Sequence, residues 1–237
     1  MKMALLRVGL DSAAGGAQGP LFTDGSFEFV PIPDTQGVGA KTYGNTLGVK
    51  GEPLVSYFPE RRRQAMSNQP MHFDPEFETF TYGDPTSPKA GLRRLTSGDM
   101  LVFYAGLCGW DHECPPGLYV VGYFVVEWAG LATELPEDEV RRRFGQNFHV
   151  FHDDVFQAQR KRLVLVKGGP GSRLLTRAHL ISTTATNRTG RPLKVLSSEA
   201  QKTFGDFGGR ISIERSPTRW VETGYVQGAK SFLEALD

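Results

Sequence analysis

The sequence has little cysteine, little net charge and no long apolar run. Its two cysteines, Cys108 and Cys114, are too few for the disulfide framework of a secreted scaffold in a chain of 237 residues. The formal net charge of +1 excludes a surface that attracts phosphate everywhere, so any basic contact to nucleic acid must be concentrated on one face. No apolar run approaches the ~20 residues that span a bilayer, and the N-terminal segment is too interrupted for a secretory signal. We therefore expect a cytoplasmic protein without a membrane partner.

Glycine, proline and phenylalanine are the abundant residues, with 28, 15 and 16 copies. Glycine and proline mark turns, and phenylalanine favours strands. The length allows one large domain. The composition therefore predicts an α+β fold that is rich in β-structure, with long ordered loops and a few short helices, in a single domain over residues 1–237.

Two apolar segments, GDMLVFYAG at 98–106 and GLYVVGYFVVEWAG at 117–130, predict a pair of buried strands. Gly122 interrupts the second segment and indicates a bulge or a close backbone approach. The segment 172–182 is compatible with a strand or a short helix. Other predicted elements are strands at 4–10, 26–31 and 161–169, a helix of about ten residues beginning at Pro136, a short helix ending at Gly205 and a terminal helix at 229–237.

Residues 35–91 carry few periodic runs, but their aromatic residues favour an ordered, loop-rich segment. Within it, HFDPEFETFTYGD at 72–84 places carboxylates beside a histidine. Such groups can serve as general acid and base when burial shifts their pKa values, and aromatic rings can stack a base for about 1–3 kcal/mol. The alternative is a polar loop held by phenylalanine anchors. The candidate catalytic residues are Asp11, His72, Asp74 and Asp84.

Two later segments, QNFHVFHDD and SIERSPTRWV, add histidine, asparagine, arginine and tryptophan. Guanidinium groups bind phosphate through two hydrogen bonds. The alternatives are structural histidines and arginines that pair with Glu214 or Glu222. The candidate substrate or nucleic-acid contacts are Arg7, Thr81, Tyr82, Tyr104, Asn147, His149, Arg173, Ser212, Arg215, Arg219 and Trp220.

Cofactor and metal motifs are weak in this sequence. The loop DSAAGGAQGP lacks the spacing of a dinucleotide or nucleoside-triphosphate loop. Cys108, His112 and Cys114 are zinc-ligand types in a C-x3-H-x-C spacing, but a paired C-x2-C and a deaminase signature are both missing. A loop with incidental thiols is the preferred interpretation, and we predict neither a cofactor nor a metal.

The predicted strand pair, with its Gly-Asp turn and mid-strand glycine, resembles the EVE and ASCH members of the PUA-like barrels. This resemblance implies a mixed barrel core at about 92–170 and a pocket that receives a nucleotide. Over nearly the whole chain, LLRVGLDSAAGGAQGPLFTDGSFEFVPIPD, HFDPEFETFTYGD and GGRISIERSPTRWV resemble the nucleotide-modification-associated domain family, type 3. That resemblance implies a role in or beside base modification.

Three functions follow from these patterns. The leading one is a protein that binds nucleic acid or a nucleotide and is associated with base modification, with a pocket on the strand pair lined by Tyr104, Tyr123 and basic groups. The first alternative is an enzyme that modifies or processes a nucleobase or nucleotide through the loop carrying His72, Asp74 and Asp84. The second is a structural or interaction protein in which these residues only hold loops.

Overall fold

The structure is a computed structural model that describes residues 1–11, 16–214 and 217–236. Its strands are β1 Met3–Arg7, β2 Gly19–Leu21, β3 Ile32–Pro33, β4 Met71–His72, β5 Thr81–Asp84, β6 Met100–Gly109, β7 Gly117–Leu131, β8 Val164–Gly168, β9 Arg173–Leu180, β10 Ser182–Thr186, β11 Pro192–Leu196 and β12 Arg219–Trp220. Its helices are α1 Glu60–Ser67, α2 Glu137–Phe144, α3 Phe148–Phe151, α4 Asp153–Gln159, α5 Ser198–Phe204 and α6 Thr223–Glu234, with 3₁₀ turns at Leu54–Tyr57, Ser87–Arg94 and Ala132–Glu134.

One large mixed sheet organises the fold. Its strands follow the order β12-β1-β6-β7-β8-β5, with β2 beside β6 and β9 beside β7. The pair β1–β6 is parallel, whereas β6–β7 and β7–β8 are antiparallel. The predicted α+β class is confirmed. The predicted PUA-like mixed barrel is not confirmed, because over the described residues the path is open, with β12 and β5 as its two ends.

The predicted strand pair is confirmed as β6 and β7, which form the centre of the sheet. Most of their side chains are buried, as expected for strands covered on both faces. The pairing shifts register between Phe103 and Tyr104, opposite Gly122. A Cβ atom at Gly122 would lie 2.7 Å from the carbonyl oxygen of Arg173 in β9, so the close approach predicted for this glycine is also confirmed.

Other predicted elements are confirmed to different extents. Helices α2 and α5 form at the expected places, and α5 is followed by Gly205, whose φ is 77°. The terminal helix α6 is confirmed, but it begins at Thr223, six residues before the predicted start. The segment 172–182 is mostly strand. The strand predicted at 26–31 is wrong in extent, because Phe27 forms an isolated bridge and the next paired residues are Ile32–Pro33. Proline at 31 and 33 removes the backbone donors that a longer ladder would need.

The loop-rich segment 35–91 is ordered around its own apolar core. Tyr43, Phe58 and Met71 are buried there together with residues of the preceding segment, and the Tyr43 hydroxyl donates to the carbonyl oxygen of Pro31 at 2.7 Å. These contacts join α1 and β4 to residues 10–30, which follow β1. Among the described residues no helix is long and apolar enough to cross a membrane.

Candidate functional site

Asp74 is the buried centre of the candidate site. It lies in the loop between β4 and β5, and its side chain is 6% exposed. The backbone N–H of Gly83 donates to both of its carboxylate oxygens, at 3.0 and 3.2 Å. The side-chain amide of Asn147 lies 3.4 Å from Oδ1. These donors hold the carboxylate in one orientation and leave Oδ2 facing two histidines.

The two histidines are His72, at the end of β4, and His149, in α3. Their Nε2 atoms lie 3.8 and 3.4 Å from Asp74 Oδ2. The His149 Nδ1–H donates to Gln159 Oε1 at 2.7 Å, because an amide oxygen can only accept. The His72 ring stacks on Phe148, with centroids 3.9 Å apart and planes 27° apart. Both rings are therefore fixed in position.

Local sequence explains how α3 delivers His149. Asn147 is the N-cap of α3, and its side-chain oxygen accepts from the His149 backbone N–H at 3.1 Å, which is the usual role of asparagine at this position. The helix packs against Gly83 of β5, where a Cβ atom would lie 2.8 Å from Asn147 Oδ1 and 3.1 Å from His149 Cδ2. A residue without a side chain is therefore required at position 83.

Burial decides the direction of the pKa shifts of Asp74 and His72, but not that of His149. It raises the pKa of Asp74 to about 6, although the contacts with His149 and Gly83 oppose the rise. Burial and the neighbouring His149 lower the pKa of His72 to about 3. Burial also lowers the pKa of His149, but its contact with Asp74 outweighs that effect and leaves the pKa above the ordinary value. The pKa of the Asp74 carboxyl group therefore lies close to neutral pH, where the group can both accept and donate a proton.

A cleft of about 530 Å³ lies beside this cluster. Phe148 connects the cleft with the cluster, because it lines the cleft and its ring stacks on the ring of His72. Most of the other lining groups are aromatic or apolar, and the charged ones are mainly acidic. Besides Phe148, the lining of the cleft includes Glu28, Phe29, Lys41, Phe73, Glu76, Phe77, Glu78, Phe151 and Leu174.

The other predicted residues of the 72–84 segment have internal partners. Thr81 is fully buried, and its hydroxyl lies 3.4 Å from Glu76 Oε2. The Tyr82 hydroxyl donates to Asp84 Oδ2 at 3.1 Å. The other carboxylate oxygen of Asp84 accepts from the Thr86 N–H at 2.6 Å. Asp84 therefore lies near Asp74, and both of its carboxylate oxygens accept hydrogen bonds from within the segment 82–86.

A second group of predicted residues lies on the opposite face of the sheet. Arg7 pairs with Asp11 at 3.3 Å, the Tyr104 hydroxyl donates to the Ile213 carbonyl at 3.0 Å, and Arg219 donates to the Ser212 carbonyl at 2.7 Å. Phe103 points toward the cleft, and neighbouring residues of a strand point to opposite faces, so Tyr104 points away from it. The structure thus divides the predicted residues between two places.

The remaining predicted residues have separate surroundings. Arg173 lies over the ring of Tyr123, 5.7 Å from its centroid, and Arg94 lies over Trp220 at 4.9 Å. Tyr104 and Tyr123 are 0% and 1% exposed, so neither presents a ring to solvent. Arg215 lies outside the described residues.

Metal-binding geometry occurs at the buried cluster. One donor atom each from His72, Asp74 and His149 lies within 4.8 Å of the others. The described residues do not gather Cys108, His112 and Cys114 in this way: the Cys114 thiol lies 3.6 Å from the Tyr119 hydroxyl, and His112 Nδ1 lies 3.0 Å from Asp111. The interpretation of that loop as one with incidental thiols stays a prediction.

Sequence reasoning missed several groups that build the site. Gln159 and Phe29 lie far from the 72–84 segment in sequence and belong to no recognisable motif. Gly83 could have been noticed, since a glycine inside a strand indicates a close approach.

Comparison with known proteins supplies the family. A family model described as nucleotide modification associated domain 3 matches residues 2–234, which is nearly the whole chain. No curated protein and no solved structure matches the chain significantly.

Proposed function

The chain belongs to the nucleotide modification associated domain 3 family, and we propose that it binds a nucleobase, free or in nucleic acid, in the cleft beside Asp74. The single observation that supports this proposal most strongly is the aromatic lining of a cleft of about 530 Å³. That volume lies in the range of small-molecule sites, roughly 300–1,000 Å³. Aromatic side chains stack on bases because every base has a π-face.

The proposed orientation of the ligand follows from charge. Glu28, Glu76 and Glu78 line the cleft, against the single ammonium of Lys41. These carboxylates repel phosphate. Glu28 and Glu76 are buried and accept internal hydrogen bonds from Val49 and Thr79, so the exposed Glu78 is the group proposed to accept from the exocyclic amino group of cytosine or adenine. The base therefore enters the cleft, and its phosphate stays at the rim.

The PUA-like resemblance fits the same proposal. Phe77 lines the cleft and contacts Phe103 of β6 and Phe124 of β7, with ring centroids 5.6 and 5.7 Å apart. The β6–β7 pair, with its glycine bulge, would then form the layer under a nucleotide pocket, as the resemblance implies.

Replacing Phe151 by alanine tests the cleft. Phe151 lines it and is 62% exposed, so its removal should leave the fold intact. Loss of one stacking ring should weaken binding by about 1–3 kcal/mol, or roughly 5- to 150-fold. Calorimetric titration with nucleosides, nucleoside monophosphates and short single strands of each base measures the change.

Trp110 provides the matched control. It is also an exposed aromatic residue, at 44%, but it lines a different cavity with Tyr57 and Arg63. The variant Trp110→Ala should bind as the parent does. Binding that depends on Trp110 and not on Phe151 would place the ligand in that other cavity, and no binding by any of the probes would refute the proposal.

A second candidate function is catalysis on the bound base or nucleotide. The location of His72, Asp74 and His149 favours this function, because Phe148 both lines the cleft and stacks on His72. The isosteric change Asp74→Asn should abolish turnover of a nucleotide substrate and leave binding within a factor of a few. Mass spectrometry of nucleotides incubated with both proteins measures the product, and equal turnover by the two would exclude this role for Asp74.

A further inference from the structure

We propose that His72, Asp74 and His149 bind one divalent transition-metal ion, of which Zn²⁺ is the reference case. Two imidazole nitrogens and one carboxylate oxygen are ligands typical of zinc and of non-haem iron. Mg²⁺ and Ca²⁺ prefer sites made of oxygen alone, so we do not expect them here.

The distances between the donor atoms support this site. Zinc binds nitrogen and carboxylate oxygen at about 2.0–2.2 Å, so two ligands of a tetrahedral ion lie roughly 3.4 Å apart. The Nε2 atoms of His149 and His72 lie 3.4 and 3.8 Å from Asp74 Oδ2. All three donor atoms lie within 4.8 Å of one another, so binding an ion would require the most distant pair to approach by at most about 1.4 Å.

Each donor atom is also supported by a second group behind it. Gln159 Oε1 accepts from the Nδ1–H of His149, which directs Nε2 toward Asp74. Gly83 and Asn147 hold Oδ1 of Asp74, and Phe148 packs on the ring of His72. Hydrogen bonds of this kind orient metal ligands in proteins.

Among the described groups, the buried Nε2 of His72 has no hydrogen-bond partner. Buried polar atoms are normally paired, so this atom requires an explanation. With Nδ1–H of His149 donating to Gln159, the Nε2 atoms of both histidines and one carboxylate oxygen are directed toward one region. A single proton can join only two of these atoms, whereas a dication can bind all three.

Metal titration of the whole chain tests the site. After chelator treatment and dialysis, the protein should bind one equivalent of Zn²⁺ by calorimetry and by native mass spectrometry. Co²⁺ provides an absorption signal for the same site. The variants His72→Gln and His149→Gln should each lower the affinity at least ~100-fold, and Gln159→Ala should lower it about 10- to 100-fold, as expected for a supporting group.

Two controls make the result specific. His179→Gln removes an imidazole that packs on Phe232, outside the cluster, and Cys108→Ser with Cys114→Ser removes both thiols. Both proteins should retain full binding, and circular dichroism checks that every variant is folded. Absence of stoichiometric binding by the parent, retention of binding by folded His149→Gln, or loss of binding by the thiol variant would each overturn the proposal. No nucleotide is needed, so this test can fail or succeed independently of base binding in the cleft.

Discussion

Replacing Phe103 by alanine is expected to lower the free energy of unfolding by about 3–5 kcal/mol, the cost of truncating a buried phenylalanine. The side chain is 0% exposed. Its ring lies 4.7 Å from that of Phe124, 5.6 Å from that of Phe77 and 6.0 Å from that of Tyr82, measured between centroids. The alanine would leave a cavity where β5, β6, β7 and the 72–84 loop meet. Urea unfolding, followed by circular dichroism, measures the loss.

A substitution at Leu47 provides the comparison. Leu47 is 67% exposed, so Leu47→Ala should change the free energy by less than about 0.5 kcal/mol. If Phe103→Ala were no more destabilising than Leu47→Ala, the aromatic cluster would not be the core that joins the loop to the sheet.

Replacing Gly83 by alanine should disrupt the candidate site from behind. The added Cβ would lie 2.8 Å from Asn147 Oδ1 and 3.1 Å from both His149 Cδ2 and Leu165 Cδ2. Overpacking of this kind typically costs about 1–3 kcal/mol. Because Asn147 and His149 must move, zinc affinity should fall at least ~10-fold, as it does when groups supporting a metal ligand are lost.

Gly228 offers the same substitution without the clash. It lies in α6, and a Cβ atom there would meet nothing within 4 Å. Gly228→Ala should therefore stabilise the protein by about 0.5–1 kcal/mol and leave zinc binding unchanged. Unfolding curves and zinc titrations of both variants measure these changes in stability and affinity. A Gly83→Ala protein with parental stability and affinity would contradict the packing described for α3.

The central strands could be predicted from the sequence because their signal is local. Apolar runs of this length, bounded by Gly-Asp and by a proline-rich turn, indicate strands without knowledge of their neighbours. The order of the strands in the sheet could not be predicted in the same way. It depends on which strands pair, and β1 pairs with β6 and β12, from segments about one hundred and two hundred residues away in sequence.

The candidate site was predictable in part. The 72–84 segment supplied His72 and Asp74 because carboxylates near a histidine stand out in one stretch of sequence. Separate patterns identified Asn147 and His149, but nothing in them indicated that His149 would reach Asp74. That contact depends on α3 packing against β5, and on Gln159 at the end of α4. No metal motif stands out in the sequence, and the three donor atoms of the proposed metal site come together only in the folded chain.

The place of β1 in the sheet has a consequence for synthesis on the ribosome. Residues Met3–Leu6 are buried at 0–1% exposure, and β1 pairs with β12, which is translated some two hundred residues later. Until Arg219 and Trp220 emerge, one side of β1 is an unpaired apolar edge, which is a template for aggregation. The nascent chain therefore passes through a long interval in which this edge can aggregate. It avoids aggregation when encounters with other chains are slow, or when chaperones cover the edge.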